Sequence, residues 1–285
     1  MRKITLPVFL IIALMLPLST LVAVAQTTGG LTWWESNYKN YYVASASTTT
    51  GGGAGAKLKK LYVYADSNYL YLAVDTNNKA SWNVAYGFLL DVVPGGYNDT
   101  AISAQGVIDA WARYITVNGS KYGVDYEIYF WYDQNSGITK AQICKWNPSA
   151  TISPSSNYGD YWIYTDVTNQ IGSLYDYTAT TGSSGKGLKV LWVAIPWSTL
   201  GISPPSSFYV LAVLTGGDYS GSVDSIPYDP TVTYGLTPST TQVYNTMYQY
   251  STPTPVPVPE PFTVTLLIAG VAAAFTFYTL RRMNY

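Results

Sequence analysis

Histidine is missing altogether from the 285 residues, and cysteine occurs once, as Cys144. The first absence removes serine–histidine and cysteine–histidine nucleophilic mechanisms, because no side chain is left to serve as their base. Together the two remove structural zinc held by thiolate and imidazole ligands. One cysteine allows no intrachain disulfide. Haem lacks its axial histidine, and Met247 is the only methionine between the terminal apolar segments. Charge is scarce as well, at 11% of residues and a formal net charge of −1. Setting aside Arg2, Lys3, Glu260, Arg281 and Arg282 takes the totals from 15 basic and 16 acidic to 11 and 15. The intervening chain is therefore acidic and lacks the Lys/Arg stripe that grips phosphate backbones, which argues against nucleic acid as a partner. No long 3.6-residue periodicity occurs outside the two terminal apolar segments, which excludes a helical bundle.

Those terminal segments give the topology. Arg2 and Lys3 precede an apolar run from Ile4 to Leu21, and Ala23-Val24-Ala25 has the small-residue pattern of a cleavage site. Residues 1–25 are thus read as a secretory signal peptide. At the other end, prolines 253, 255, 257, 259 and 261 alternate with small or apolar residues and favour an extended polyproline spacer over 253–261. Phe262 to Leu280 carries no charge and is long enough to cross a bilayer as a helix. Arg281 and Arg282 then hold a short tail, 281–285, in the cytoplasm. The expectation is a single-pass protein of the cell surface, with residues 26–252 outside. The tail Val258-Pro259-Glu260-Pro261, apolar run, Arg281-Arg282 also resembles the PEP-type sorting signals read by exosortase and archaeosortase enzymes. That resemblance implies removal of the helix and re-attachment to lipid.

The intervening chain is rich in aromatics: the sequence holds 28 Tyr and 9 Trp. Leu61–Ala65 and Leu70–Val74 alternate aliphatic and mostly tyrosine positions around the turn residues Asp66-Ser67-Asn68, which predicts a hairpin. Further strands are expected over Ala85–Val93, Ala110–Val117, Tyr126–Tyr132, Ile138–Trp146, Tyr161–Thr165, Leu188–Ile195 and Phe208–Thr215. Asn118-Gly119 and Asn135-Ser136-Gly137 supply turns. Pro196–Leu200 is the one helical turn expected, and Thr48–Ala56 reads as a loop. So many short strands predict an all-β fold, an antiparallel β-sandwich.

Five blocks in order carry a family resemblance. They are Trp82-Asn83-Val84-Ala85-Tyr86-Gly87-Phe88 with Asp91 and Pro94-Gly95-Gly96; Asp109-Ala110-Trp111; Gly123 to Trp131; Ala194 to Gly201; and Gly216-Gly217-Asp218 leading to Val223 to Pro230. This stretch, Leu58 to Pro230, resembles the C-terminal accessory β-sandwich of glucodextranases and archaeal amylopullulanases, which is similar to DOMON-like and family 9 carbohydrate-binding modules. The resemblance implies a surface-attached, non-catalytic sugar-binding module. Within these 285 residues no catalytic domain is expected beside it, unlike in that family.

The residues themselves leave three chemistries to compare. Aromatic faces stack on the C–H face of a sugar while amides orient its hydroxyls; Trp82, Trp111, Trp131 and Trp146, with Gln134, are the candidates for binding polysaccharide or an envelope glycan. Asp91, Asp99, Asp218 and Asp224 lie in glycine-rich loops whose oxygens suit a structural calcium. Asp109, Asp125, Glu127 and Asp133 could pair as glycosidase carboxylates, the minor alternative. A structural or adhesive envelope protein is the other. Asn98-Asp99-Thr100 and Asn118-Gly119-Ser120 are N-glycosylation sequons in expected turns, marking Asn98 and Asn118.

Overall fold

The computed structural model describes residues 42–44, 57–78, 82–100, 109–149, 161–182 and 185–251. The signal peptide, the Thr48–Ala56 loop, the proline spacer, the Phe262–Leu280 span and the terminal tail lie outside the described residues. Among the described residues no helix is long and apolar enough to cross a membrane.

Two mainly antiparallel sheets form a β-sandwich. The first has five strands in the order β1 (Tyr42–Ala44), β2 (Lys57–Ala65), β3 (Tyr69–Asn78), β10 (Gly185–Pro196) and β9 (Tyr175–Gly182). The second runs β12 (Ser222–Ile226), β11 (Ser207–Thr215), β4 (Val84–Asp91), β6 (Tyr126–Asp133), β7 (Gly137–Trp146) and β8 (Trp162–Asp166), with β14 (Tyr248–Ser251) also paired to β11. A small parallel pair joins β5 (Ile115–Val117) to β13 (Gln242–Tyr244). One short helix, α1 (Trp197–Leu200), follows β10 and ends at Gly201, whose φ of 71° is a left-handed cap.

Strand alternation sorts the side chains as the sequence pattern predicts. Leu61, Val63 and Ala65 of β2 and Leu70, Leu72 and Val74 of β3 face Tyr86, Phe88 and Leu90 of β4 and Ile128 and Phe130 of β6 across the main core. The tyrosines between them point the other way. Two side chains also bond across the sheets: Leu58 N–H donates to Asp224 Oδ2 at 2.8 Å, and Ala65 N–H to Tyr250 Oη at 3.1 Å. Each satisfies a buried backbone donor that would otherwise be costly.

The second sheet is buried on both faces. Its outer face packs Ala85, Leu89, Tyr129, Cys144, Leu211 and Val213 beneath Tyr97, Trp111, Ile115, Val117, Val124 and Tyr244. The near-continuous apolar runs of β4 and β11 are the mark of such doubly covered strands. One expectation is corrected here. The Ala110–Val117 strand is reduced to Ile115–Val117, because Asp109 folds residues 109–113 into a tight loop. Asp109 Oδ1 accepts the N–H groups of Trp111 at 3.0 Å and Arg113 at 2.5 Å, and its carbonyl accepts that of Ala112 at 3.0 Å. An aspartate that takes backbone donors for its own side chain competes with the strand ladder.

Candidate functional site

A cleft of about 490 Å³ opens on the outer face of the second sheet, lined by Ala110, Trp111, Arg113, Trp131, Lys140, Gln142, Tyr164 and Asp218. Its floor comes from alternate residues of three adjacent strands: Trp131 on β6, Lys140 and Gln142 on β7, and Tyr164 on β8. The register of β6 against β7 decides who is there. Tyr132 pairs with Ile138 but Trp131 pairs with Lys140, so Thr139 is an extra residue in the ladder. Such a bulge flips every later side chain. It places Lys140 and Gln142 outward beside Trp131, and Ala141 and Ile143 inward in the core.

Two loops wall the cleft. Residues 109–113 bring Trp111 and Arg113, and the β11–β12 connection brings Asp218. They are bonded to one another, with Tyr219 N–H donating to the Ala112 carbonyl at 2.6 Å and Tyr114 N–H to that of Ser220 at 2.9 Å. Ala112 and Tyr219, at φ of 57° and 62°, are the only non-glycine residues with positive φ among the described residues. Strain of this kind persists where the surroundings over-determine it, and it concentrates at binding and catalytic sites.

Trp111 is held from every side. Its ring stacks on Tyr129 with centroids 5.0 Å apart at 18°, its Nε1–H donates to Gln142 Oε1 at 2.8 Å, and Lys140 Nζ lies 4.9 Å from its centroid. Tyr129 reaches this position across Gly87 of the neighbouring strand, where a Cβ would come within 2.3 Å of the tyrosine ring. Arg113 is buried; its Nε donates to Thr215 Oγ1 at 3.0 Å, and its Nη1 to the Trp111 carbonyl and to Asp218 Oδ1. Trp131, in contrast, is only half-buried.

Beneath Trp111 lie two fully buried carboxylates. Asp109 Oδ2 accepts the Tyr129 hydroxyl at 2.5 Å, and Glu127 Oε2 accepts the Ala110 N–H at 2.9 Å. Among the described residues Glu127 Oε1 has no hydrogen-bond partner. Burial pushes Asp109 up to about 6 against the pull of Arg113, and burial together with the Asp109 charge pushes Glu127 well above the carboxylate range. Of the two, Glu127 is held the more strongly toward its protonated form.

Of the expected sugar-binding residues, the structure brings together Trp111 and Trp131. Trp146 sits in the outer-face core against Tyr97, Tyr161 and Trp162. Trp82 packs on the main core at the start of β4, beside the turn where Gln134 N–H donates to Asn83 Oδ1 at 3.2 Å. Arg113, Lys140, Gln142 and Tyr164 were not foreseen; the polar residues alternating with Ala141 and Ile143 on a predicted strand were the available signal.

The acidic residues have separate tasks. Asp125 Oδ2 accepts the Val92 and Val93 N–H groups, and Asp133 Oδ1 those of Asn135 and Ser136. Of the four aspartates expected to hold calcium, Asp91 accepts from Gly123 N–H at 3.2 Å and Asp99 from Gly119 N–H at 2.7 Å. Asp218 pairs with Arg113, and Asp224 with the Leu58 amide. Among the described residues no group of three or more Asp, Glu, Cys or His side chains is gathered to hold a metal. The two sequon turns pack together: Asn98 accepts the Thr100 N–H at 3.0 Å, and Asn118 Nδ2 donates to Asn245 Oδ1 at 2.6 Å. Comparison with known family models, curated proteins and solved structures gave no match.

Proposed function

We propose that this chain is a non-catalytic carbohydrate-binding module of the glucodextranase C-terminal type, displayed at the cell surface. The observation that carries the reading is the cleft itself. A half-exposed Trp131 stands beside Trp111, Lys140, Gln142, Tyr164 and Asp218 on a rigid strand floor. Sugar rings stack on such an indole while amide, hydroxyl and charged groups direct their hydroxyls. The cleft's volume of about 490 Å³ lies within the ordinary range of small-ligand sites. Asp109 and Glu127 are sealed under Trp111, so their role in this reading is to fix the wall of the cleft.

The sequence adds the setting. The signal peptide, the proline spacer and the Phe262–Leu280 span would hold the sandwich outside a membrane on a short stalk. Its partners would be polysaccharide or an envelope glycan. Affinity electrophoresis through gels containing starch, xylan or cellulose tests the reading. Retardation that Trp131→Ala abolishes, with an unchanged melting midpoint, supports it; retardation that survives the substitution overturns this cleft as the site.

A further inference from the structure

We infer that the sugar taken by this cleft is acidic, with its carboxylate or sulfate seated between Lys140, Gln142 and Arg113; this rests on the carbohydrate-binding reading and adds the class of ligand. A count of donors and acceptors at the cleft carries the inference. Lys140 is exposed, and its ammonium makes neither an ion pair nor a hydrogen bond with a described residue; its one close partner is the face of Trp111, 4.9 Å away. An indole N–H can only donate, so its bond to Gln142 fixes the amide with oxygen toward Trp111. Both amide hydrogens of Gln142 are then left to donate elsewhere, and no described residue accepts them. Arg113 spends Nε and Nη1 on Thr215, Trp111 and Asp218, while Nη2 makes no hydrogen bond among the described residues. Unspent donors from three side chains, two of them cationic, therefore line one cleft.

The acids nearby do not satisfy these donors. Asp218 lies at the rim and is committed to Arg113 at 2.9 Å. Asp166, opposite Gln142 on β8, accepts Thr168 N–H at 2.8 Å and is lowered by that bond and in part by the Lys140 charge, but forms no ion pair with Lys140. Asp109 and Glu127 have no exposed surface. A neutral sugar hydroxyl accepts hydrogen bonds but also carries a proton that needs an acceptor. A carboxylate or sulfate is acceptor-only and matches the unspent donors of Lys140, Gln142 and Arg113 at each contact.

The test applies the full-length protein to an array of neutral, uronate-bearing and sulfated oligosaccharides, then titrates representatives by calorimetry. The expected result is binding to acidic members at least about tenfold tighter than to neutral ones of the same length, as a charge-assisted bond supplies. Added salt should weaken the acidic arm alone. Lys140→Gln, a change at an exposed position, should bring acidic ligands down to the neutral level. The uronate and sulfate arms identify the acid. Equal affinity for neutral and acidic sugars, or an unaffected Lys140→Gln variant, overturns the acidic class. If Trp131→Ala still abolishes that binding, the carbohydrate reading stands without it. Silence across the array overturns both.

Discussion

The buried Asp109 makes this fold more stable in mild acid than at neutral pH, the reverse of the usual carboxylate effect. An ordinary aspartate titrates at 3.8, and burial holds Asp109 at about 6 in the folded chain. Below 3.8 the group is protonated in both folded and unfolded states. Between 3.8 and about 6 only the folded state keeps the proton, so stability falls as pH rises and the loss is complete above that window. At about 1.4 kcal/mol for each pH unit, the window is worth about 3 kcal/mol. For a domain near 200 residues this amounts to a melting midpoint about 6–12 °C higher at pH 4 than at pH 7. Asp91, also raised to about 6 by burial, acts in the same direction more weakly because it is only partly buried. The exposed Asp133 and Asp166 are lowered by their backbone hydrogen bonds and act in the opposite direction. Comparison with Asp109→Asn cancels all three, and because the Asp109 charge also raises Glu127, any flattening reports the coupled pair. Its amide keeps the Oδ1 acceptor for Trp111 and Arg113 but cannot titrate. Thermal melts followed by circular dichroism from pH 4 to 8 should give a clearly flatter profile for the variant. Parallel profiles, or a wild-type midpoint that falls on acidification through this window, would refute the reasoning.

Three further outcomes follow from the same geometry. Glu127→Gln should likewise flatten the profile: burial and the Asp109 charge raise Glu127, so the wild type loses stability as pH rises from the ordinary glutamate value of 4.5, and the variant's melting midpoint should fall less over that range. Gly87→Ala should cost about 1–3 kcal/mol, because its methyl must displace the Tyr129 ring; altered Trp111 fluorescence should accompany the lower denaturation midpoint. Asp224→Ala should cost about 1–3 kcal/mol by leaving the buried Leu58 amide unpaired, measured by urea denaturation with an unchanged slope.

The sequence was sufficient for most strands of the sandwich because period-two alternation survives in the chain itself. Leu61–Ala65 and Leu70–Val74 show it openly, and the Asp66 turn fixes their hairpin. β1, β9, β12, β13 and β14 escaped notice because they are short or rich in Ser, Thr and Gly, where no apolar alternation builds up. The loop at 109–113 was misread as strand because its apolar Ala110, Trp111 and Ala112 are buried by tertiary contacts, not by a ladder.

Composition alone settled which chemistries a chain without histidine and with one cysteine must forgo, and residue type alone marked Trp111 and Trp131 as able to stack on a sugar. Only the tertiary structure could select those two from the set and set Trp82 and Trp146 against the packed cores. The reason is register. A single extra residue at Thr139 turns Lys140 and Gln142 outward beside Trp131, and a loop distant in sequence brings Asp218 to Arg113. Neither a bulge nor a contact across 105 residues leaves a local signature in the chain.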